Sequence, residues 1–361
     1  MQAIVLVGGE GTRLRPLTYG TPKPMVPIMN VPFLELTLLR LKDAGIQHAI
    51  LPAGYMPEAI TEHFGDGSRI GMRLTFVIED EPLGTAGAIK NVEQHVSGPF
   101  VVLNGDVLTS LDLPAMLAYH KSKGGIGTLH LIQVDDPSAF GCVMHDASGK
   151  ISAFVEKPSK AEAPTDEVNA GTYILERDVF QYIPVGRNVS IERDTFPLII
   201  RGAARPLYAY TTEDYWIDMG RPEHYLAAHR HILRGEISVK LDSAAGKFYG
   251  AGTHANGIEG PVYIGNGVVI EAGARVGPFT VLGSGCTIEA DALVTRSVLW
   301  DSVRVGSRAY VHEAIAGSRA TIGAHARVGA GTVIAHDYHI EEGRDVAPDS
   351  RLGMEGLAES K

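Results

Sequence analysis

The run Gly8-Gly9-Glu10-Gly11-Thr12-Arg13-Leu14-Arg15 follows directly on the apolar residues 3–7. A glycine-rich turn at the end of a buried strand lets backbone N–H groups approach phosphate oxygens closely. Arg13, Arg15 and, a little further on, Lys23 in Pro22-Lys23-Pro24 add three cations near that turn. The spacing lacks the third glycine of a dinucleotide fingerprint and the Lys-Ser/Thr pair of a Walker loop. Fixed cations beside such a turn suit a triphosphate. The apolar run at 100–103 ends in Asn104-Gly105-Asp106, and an acid at the carboxyl end of a strand lies where open α/β sheets bind ligands. Magnesium takes one or two carboxylates plus substrate phosphates, which makes Asp106 a candidate ligand and Asp218, in Trp216-Ile217-Asp218-Met219-Gly220, a second. Either aspartate alone also reads as a turn or cap residue. Glu156-Lys157 ends another strand-like run and is followed by Asn169-Ala170-Gly171; on its own it reads as a surface ion pair. His229, His231, His336 and His339 lack acids or cysteines at ligand spacing and read as surface or packing residues.

The elements that position these residues are legible in the hydrophobic pattern. Strand-like runs at 5–7, 49–53, 74–78, 99–103 and 128–134 alternate with amphipathic stretches at 32–44, 57–64, 85–96 and 113–121. That alternation predicts a mostly parallel sheet covered by helices. After about residue 260 the period becomes six. Aliphatic residues stand at Ile264, Ile270, Val276, Leu282, Ile288 and Val294. After a one-residue slip the series resumes at Leu299, Val305 and Val311, and after another at Ala316, Ile322, Val328 and Ile334. A hexapeptide period predicts a parallel β-helix whose coils stack one aliphatic side chain per short strand. The expected organisation is a domain over 1–240, the repeat over 255–340 and a charged tail over 341–361.

Composition narrows the function. The 361 residues carry a formal charge of −10, which argues against a nucleic-acid partner. Two cysteines, Cys142 and Cys286, stand far apart and predict neither a disulfide framework nor a zinc site. No apolar run approaches the roughly 18 residues of a membrane span. Residues 1–7 carry no basic stretch of a secretion signal. The expectation is a soluble cytoplasmic protein without membrane contact.

Taken in order, several segments resemble the sugar-nucleotide pyrophosphorylases, and within them the GDP-mannose branch. They are residues 8–18, Pro22-Lys23-Pro24, Glu81-Pro82-Leu83-Gly84-Thr85-Ala86-Gly87, Leu103-Asn104-Gly105-Asp106, Phe154-Val155-Glu156-Lys157-Pro158, Asn169-Ala170-Gly171 and Trp216-x-Asp218-x-Gly220-x-Pro222. The resemblance implies an α/β fold: a Rossmann-like nucleotidyltransferase domain with a mostly parallel sheet, followed by a left-handed parallel β-helix. It implies a transfer that joins GTP and mannose 1-phosphate into GDP-mannose and releases pyrophosphate, with Mg²⁺ held by Asp106 and Asp218. Arg13, Lys23 and Lys157 would then be the catalytic cations. Leu6, Gly8, Gly9, Gly11, Thr12, Leu83, Gly84 and Thr85 would bind the nucleotide, and Asn104, Gly141, Glu156 and Asn169 the sugar phosphate. The repeat would build a homo-oligomer. One departure is Asn30-Val31-Pro32, where the family often carries Asn-Lys-Pro. Rival expectations are a dTDP- or UDP-glucose product, a non-catalytic regulatory paralogue, or acyl transfer on the β-helix with His312 or His325 as base. Truncation near residue 240 is expected to leave the catalytic residues in place and some activity.

Overall fold

A computed structural model describes residues 1–241 and 246–353. The chain divides into two compact units, one built from 1–9 and 37–216, the other from 10–36 and 217–361. The glycine-rich run is thus split: Gly8 and Gly9 belong to the first unit, and Gly11, Arg13 and Lys23 to the second.

The first unit is a nine-stranded mixed sheet. Its strands are β1 (Gln2–Leu6), β2 (His48–Ala53), β3 (Arg73–Ile78), β4 (Phe100–Asn104), β5 (Gly127–Gln133), β6 (Gly141–His145), β7 (Ile151–Glu156), β8 (Glu167–Leu175) and β9 (Leu207–Thr212). The main path runs β7-β6-β8-β4-β1-β2-β3, with β5 paired to β8 and β9 to β5. The block β4-β1-β2-β3 is parallel, as is β5 with β9. Strand β8 runs antiparallel to both β4 and β5. Ala3, Ile4 and Val5 of β1 are buried on both faces, which is why this central strand reads as an unbroken apolar run. Helices α1 (Phe33–Asp43), α2 (Pro57–Phe64), α3 (Gly84–Asn91) and α4 (Leu113–Lys123) alternate with the strands. Helix α4 is fixed at both ends by local chemistry. Asp112 accepts from the Ala115 N–H at 2.9 Å, and Gly124 closes it with φ +64°. Helix α3 stops at Asn91, short of residue 96, where a single 3₁₀ turn at Glu93–His95 takes over. Asn91 and β-branched Val92 are poor helix formers. The main core joins Ile4, Ile50, Phe100, Val102, Tyr173 and Phe196.

In the second unit, helix α5 (Pro222–Arg234) leads to a coil of three parallel ladders. One ladder stacks Ile264, Leu282, Leu299, Ala316, Ile334 and Leu352 by direct pairing. A second stacks Val276, Val294, Val311, Val328 and Val346. The third stacks Ile270, Ile288, Val305, Ile322 and Ile340. The two slips in the sequence period are two coils one residue shorter than the others, and the ladders stay in register through them. The repeat also runs further than residue 340. Strands at Asp345–Val346 and Arg351–Leu352 continue the ladders because Ile340, Val346 and Leu352 keep the six-residue phase under a highly charged composition. Of the expected charged tail, residues 354–361 lie outside the described residues.

Candidate functional site

In the first unit the carboxyl ends of β1 and β4 approach so closely that side chains are excluded between them. Gly105 donates its N–H to the Leu6 carbonyl at 3.0 Å, and a Cβ on Gly105 would stand 2.4 Å from that oxygen. Asn104 closes β4 with its Oδ1 buried and without a hydrogen-bond partner, an acceptor held ready for a donor that the protein does not supply. Half-buried Asp106 follows two residues later.

Residues 83–85 form the entry to α3 and are docked on the segment 188–192. The Val189 N–H donates to the Leu83 carbonyl and the Ala86 N–H to the Val189 carbonyl, both at 2.9 Å. Gly84 has φ +69°, and a Cβ there would lie 2.6 Å from the Val189 oxygen. Thr85 Oγ1 donates to Glu192 at 2.8 Å and accepts from the Ile191 N–H at 2.8 Å. Glu192 sits on a π-helical turn, Ile191–Thr195. It also accepts from the Tyr173 hydroxyl at 3.3 Å, which in turn accepts from Asn169 Nδ2 at 2.7 Å. One carboxylate therefore ties the α3 entry to Asn169.

Strand β8 shifts register between Asn169 and Tyr173, where Gly171 has φ +76° and would place a Cβ 2.8 Å from Asn104 Nδ2. A bulge of this kind re-aims side chains at a sheet's functional end. Gly141 is required by the ring of Phe154, 2.5 Å from where its Cβ would be, and by Glu156 Oε2 at 2.8 Å. Burial pushes the Glu156 carboxyl above its usual range, opposed by Lys157, whose ammonium is 3.6 Å away. Lys157 itself has φ +48° and is more than half exposed. The structure thus places Asn104 beside Gly171, Gly141 beside Glu156, and Asn169 one hydroxyl, that of Tyr173, from Glu192.

One residue escaped the sequence reading. Glu79 follows β3, with Oε2 about van der Waals distance from the Cβ positions of Gly8 and Gly54, at 3.5 and 3.6 Å. Its Oε1 is buried without a partner, and burial raises its carboxyl to about 7. The available signal was a carboxylate opening Glu79-Asp80-Glu81 just ahead of the Pro82-Leu83-Gly84 turn.

In the second unit Gly11 (φ +65°) lets the chain fold on itself. A Cβ there would lie 3.0 Å from both Lys23 Cβ and Thr18 Cγ2, and Thr18 Oγ1 donates to the Gly11 carbonyl at 2.9 Å. Thr12 and Arg13 start the next turn. The Arg13 guanidinium lies 3.7 Å from Asp218, with side-chain exposures of 52% and 17%. Asp218 Oδ1 accepts from the Gly220 N–H at 2.7 Å, which orients the carboxylate. Asp106 belongs to the first unit and Asp218 to the second. Each is a hard oxygen donor, and the chemistry of each side chain by itself suits a magnesium ligand. Among the described residues no group of three or more His, Cys, Asp or Glu could hold a metal on its own. His229 is buried and His336 half-buried, and each bonds a backbone carbonyl.

Residues 2–235 match the model of the nucleotidyl transferase family. The chain belongs to that family. In this nucleotidyl transferase, residues 258–353 match a second model, the GMPPB C-terminal domain. The mannose-1-phosphate guanylyltransferase of Mycobacterium tuberculosis is 40% identical over 306 residues, covering 84% of this chain and 81% of that relative. The UTP–glucose-1-phosphate uridylyltransferase of Synechocystis is 34% identical over 328 residues, 85% and 84% of the two chains. Among solved structures, HddC from Yersinia pseudotuberculosis complexed with GMP-PN superposes with a TM-score of 0.54 at 32% identity, covering 63% of this chain and 97% of that one. Nucleotidyl transferases generally work with a divalent metal. No helix among the described residues is long and apolar enough to cross a membrane.

Proposed function

We propose that this nucleotidyl transferase is a mannose-1-phosphate guanylyltransferase, joining GTP and mannose 1-phosphate into GDP-mannose with release of pyrophosphate. The observation that carries the base is Glu79. Guanine presents two adjacent donors, N1–H and the 2-amino group, and a carboxylate beside a glycine turn accepts both. Uracil and thymine present one N–H between two carbonyl acceptors, and a carboxylate repels those. The guanylyltransferase relative supports the same assignment. The Synechocystis relative makes UTP with glucose 1-phosphate the second reading to be tested.

The chemistry needs no protein nucleophile. A phosphate oxygen of mannose 1-phosphate attacks the α-phosphorus of GTP in line, the bond to the bridging oxygen breaks, and pyrophosphate leaves with the electron pair. Positioning and charge neutralisation carry such a transfer. Arg13 and Lys23 neutralise the departing β- and γ-phosphates. Arg13 is exposed and only 3.7 Å from Asp218, a loose pair that a triphosphate replaces at small cost. Lys157 grips the sugar phosphate, and Asn104, Gly141, Glu156 and Asn169 face the sugar hydroxyls. Leu6, Gly8, Gly9, Gly11, Thr12, Leu83, Gly84 and Thr85 form the nucleotide's cradle. Magnesium, held by Asp106 and Asp218, would supply charge neutralisation shared between the two substrates' phosphates. The enzyme works in the cytoplasm as a homo-oligomer, and the exposed Phe248, Val269 and Tyr310 on the coil give the β-helix apolar surface for self-association.

The test is a matrix of GTP, UTP, dTTP and ATP against mannose and glucose 1-phosphates, scored by pyrophosphate release. GTP with mannose 1-phosphate is expected to give the highest kcat/KM. Mismatched bases leave buried polar groups unpaired, at roughly 1–3 kcal/mol each, or about fivefold to a hundredfold in rate. Equal rates with UTP and glucose 1-phosphate would overturn the assignment.

A further inference from the structure

The segment 10–36, which carries Arg13 and Lys23, packs within one compact unit with α5 and the β-helix. Its anchors are hydrogen bonds to residues far along the chain. Asn30 Nδ2 donates to the Leu282 carbonyl at 2.7 Å. The Tyr225 hydroxyl donates to the Pro27 carbonyl at 2.5 Å and accepts from Trp300 Nε1 at 3.0 Å. The Met29 N–H donates to His229 Nε2 at 3.2 Å. The segment's middle is held by His336 from the β-helix. Its Nε2 lies 3.0 Å from the Leu17 carbonyl and 3.3 Å from Thr21 Oγ1, and its ring lies against Trp300 at 5.1 Å between centroids.

The partners of His336 fix its protonation state without any further assumption. A carbonyl only accepts, so Nε2 carries the proton and donates to Leu17. The Ser318 N–H, 3.1 Å from Nδ1, only donates, so Nδ1 is unprotonated. The imidazole is neutral and bridges a β-helix backbone group to the segment's backbone one residue before Thr18. Thr18 bonds Gly11, and Gly11 packs on Lys23. Gly20 approaches so closely that a Cβ there would lie 3.3 Å from the imidazole.

From this geometry we infer that His336 is a positioning residue for the triphosphate-binding segment, and that the β-helix is thereby a working part of the nucleotide site. The inference rests on the proposed function for the identity of the ligand, and on hydrogen bonds alone for the clasp. His336 touches no substrate and acts through Leu17, Thr18 and Gly11 on Lys23 and Arg13.

The test compares full-length wild type, His336→Ala, His336→Gln and Val328→Ala. Val328 is buried in the coil and pairs with Val311 and Val346, in a different ladder from Ile334, which lies two residues before His336. Loss of one to two hydrogen bonds predicts that His336→Ala raises KM for GTP about fivefold or more. KM for mannose 1-phosphate is expected to stay within about twofold. His336→Gln, which keeps a donor near the Nε2 position, recovers most of the loss, and Val328→Ala leaves KM for GTP unchanged. Hydrogen exchange on the same proteins reads the clasp without activity: amides of residues 14–26 exchange faster in His336→Ala and not in Val328→Ala. An unchanged exchange pattern, an unchanged KM for GTP, or an equal effect of Val328→Ala overturns the inference. If wild type makes no product from GTP while the exchange difference is present, the clasp stands and the proposed substrate falls.

Discussion

A carboxyl raised to about 7 beside Gly8 and Gly54 makes Glu79 a titrating group in the range where the enzyme would be assayed. Its elevation comes from burial, which disfavours the charged form. Guanine's two donors favour the ionised form, so bound GTP pulls this carboxyl down and its affinity rises as pH climbs through about 7. The expected result is a KM for GTP that worsens as pH falls from 8 to 6, beyond the change due to the triphosphate's own titration. Glu79→Gln removes that component while leaving the triphosphate's in place, so the difference between the two pH profiles isolates it. The variant should also lose preference for GTP over UTP, since an amide accepts and donates. Identical pH profiles would place Glu79 outside the base site. In the sequence this residue is only the first of three acids ahead of a turn. Its meaning lies in a buried oxygen without a partner and in the nearness of Gly8 and Gly54, which depend on how β1, β2 and β3 are ordered.

At the scale of elements, the strand ends and the α3 entry were legible because each combines an apolar run with a turn residue whose backbone requirement is local. Asn104-Gly105-Asp106 is such a case, and so is Leu83-Gly84-Thr85. The partner of the α3 entry was not legible. Residues 188–192 lie about a hundred positions away, and neither period nor composition connects them to Gly84. That docking gives Gly84 a double constraint: a left-handed backbone and the Val189 oxygen 2.6 Å from any Cβ. Left-handed strain costs roughly 1–2 kcal/mol for a residue with a side chain, and the backbone contact forces a shift in addition. Gly84→Ala is therefore expected to lower the melting temperature by several degrees, on the order of 4 °C per kcal/mol or less in a chain of this size. It should also raise KM for GTP about tenfold by displacing Leu83 and Thr85. Calorimetry and initial rates on one preparation check both. A lower melting point with unchanged KM would make the α3 entry a structural joint only.

At the scale of the whole molecule, the six-residue period was the plainest signal in the chain, because a coil needs one aliphatic residue per short strand and repeats that need many times. It even predicts the two short coils from the two slips. It carried on to Val346 and Leu352 although Arg, Asp and Glu surround them, since a β-helix buries only the inward-facing positions of each coil, such as Ala326 and Val328, and leaves the outward ones to solvent. What no period could reveal is that residues 10–36 fold with the coil. The sequence expectation was that a chain ending near residue 240 keeps its catalytic groups and some activity. Such a chain keeps Arg13 and Lys23 in name, but it lacks the Leu282 carbonyl that holds Asn30, the His336 that holds Leu17 and Thr21, and the Trp300 that fixes the Tyr225 hydroxyl. Three or four lost bonds at about 1 kcal/mol each correspond to a factor on the order of 10² or more in forming the ordered segment. The truncated chain is thus expected to lose pyrophosphate release by about that factor even in its soluble, folded fraction. Far-ultraviolet circular dichroism identifies that fraction, and rates at raised GTP separate weakened binding from lost chemistry. Partial recovery at high GTP fits a loosened segment. Near-native kcat/KM in a folded truncate would show that residues 10–36 hold their conformation without the coil.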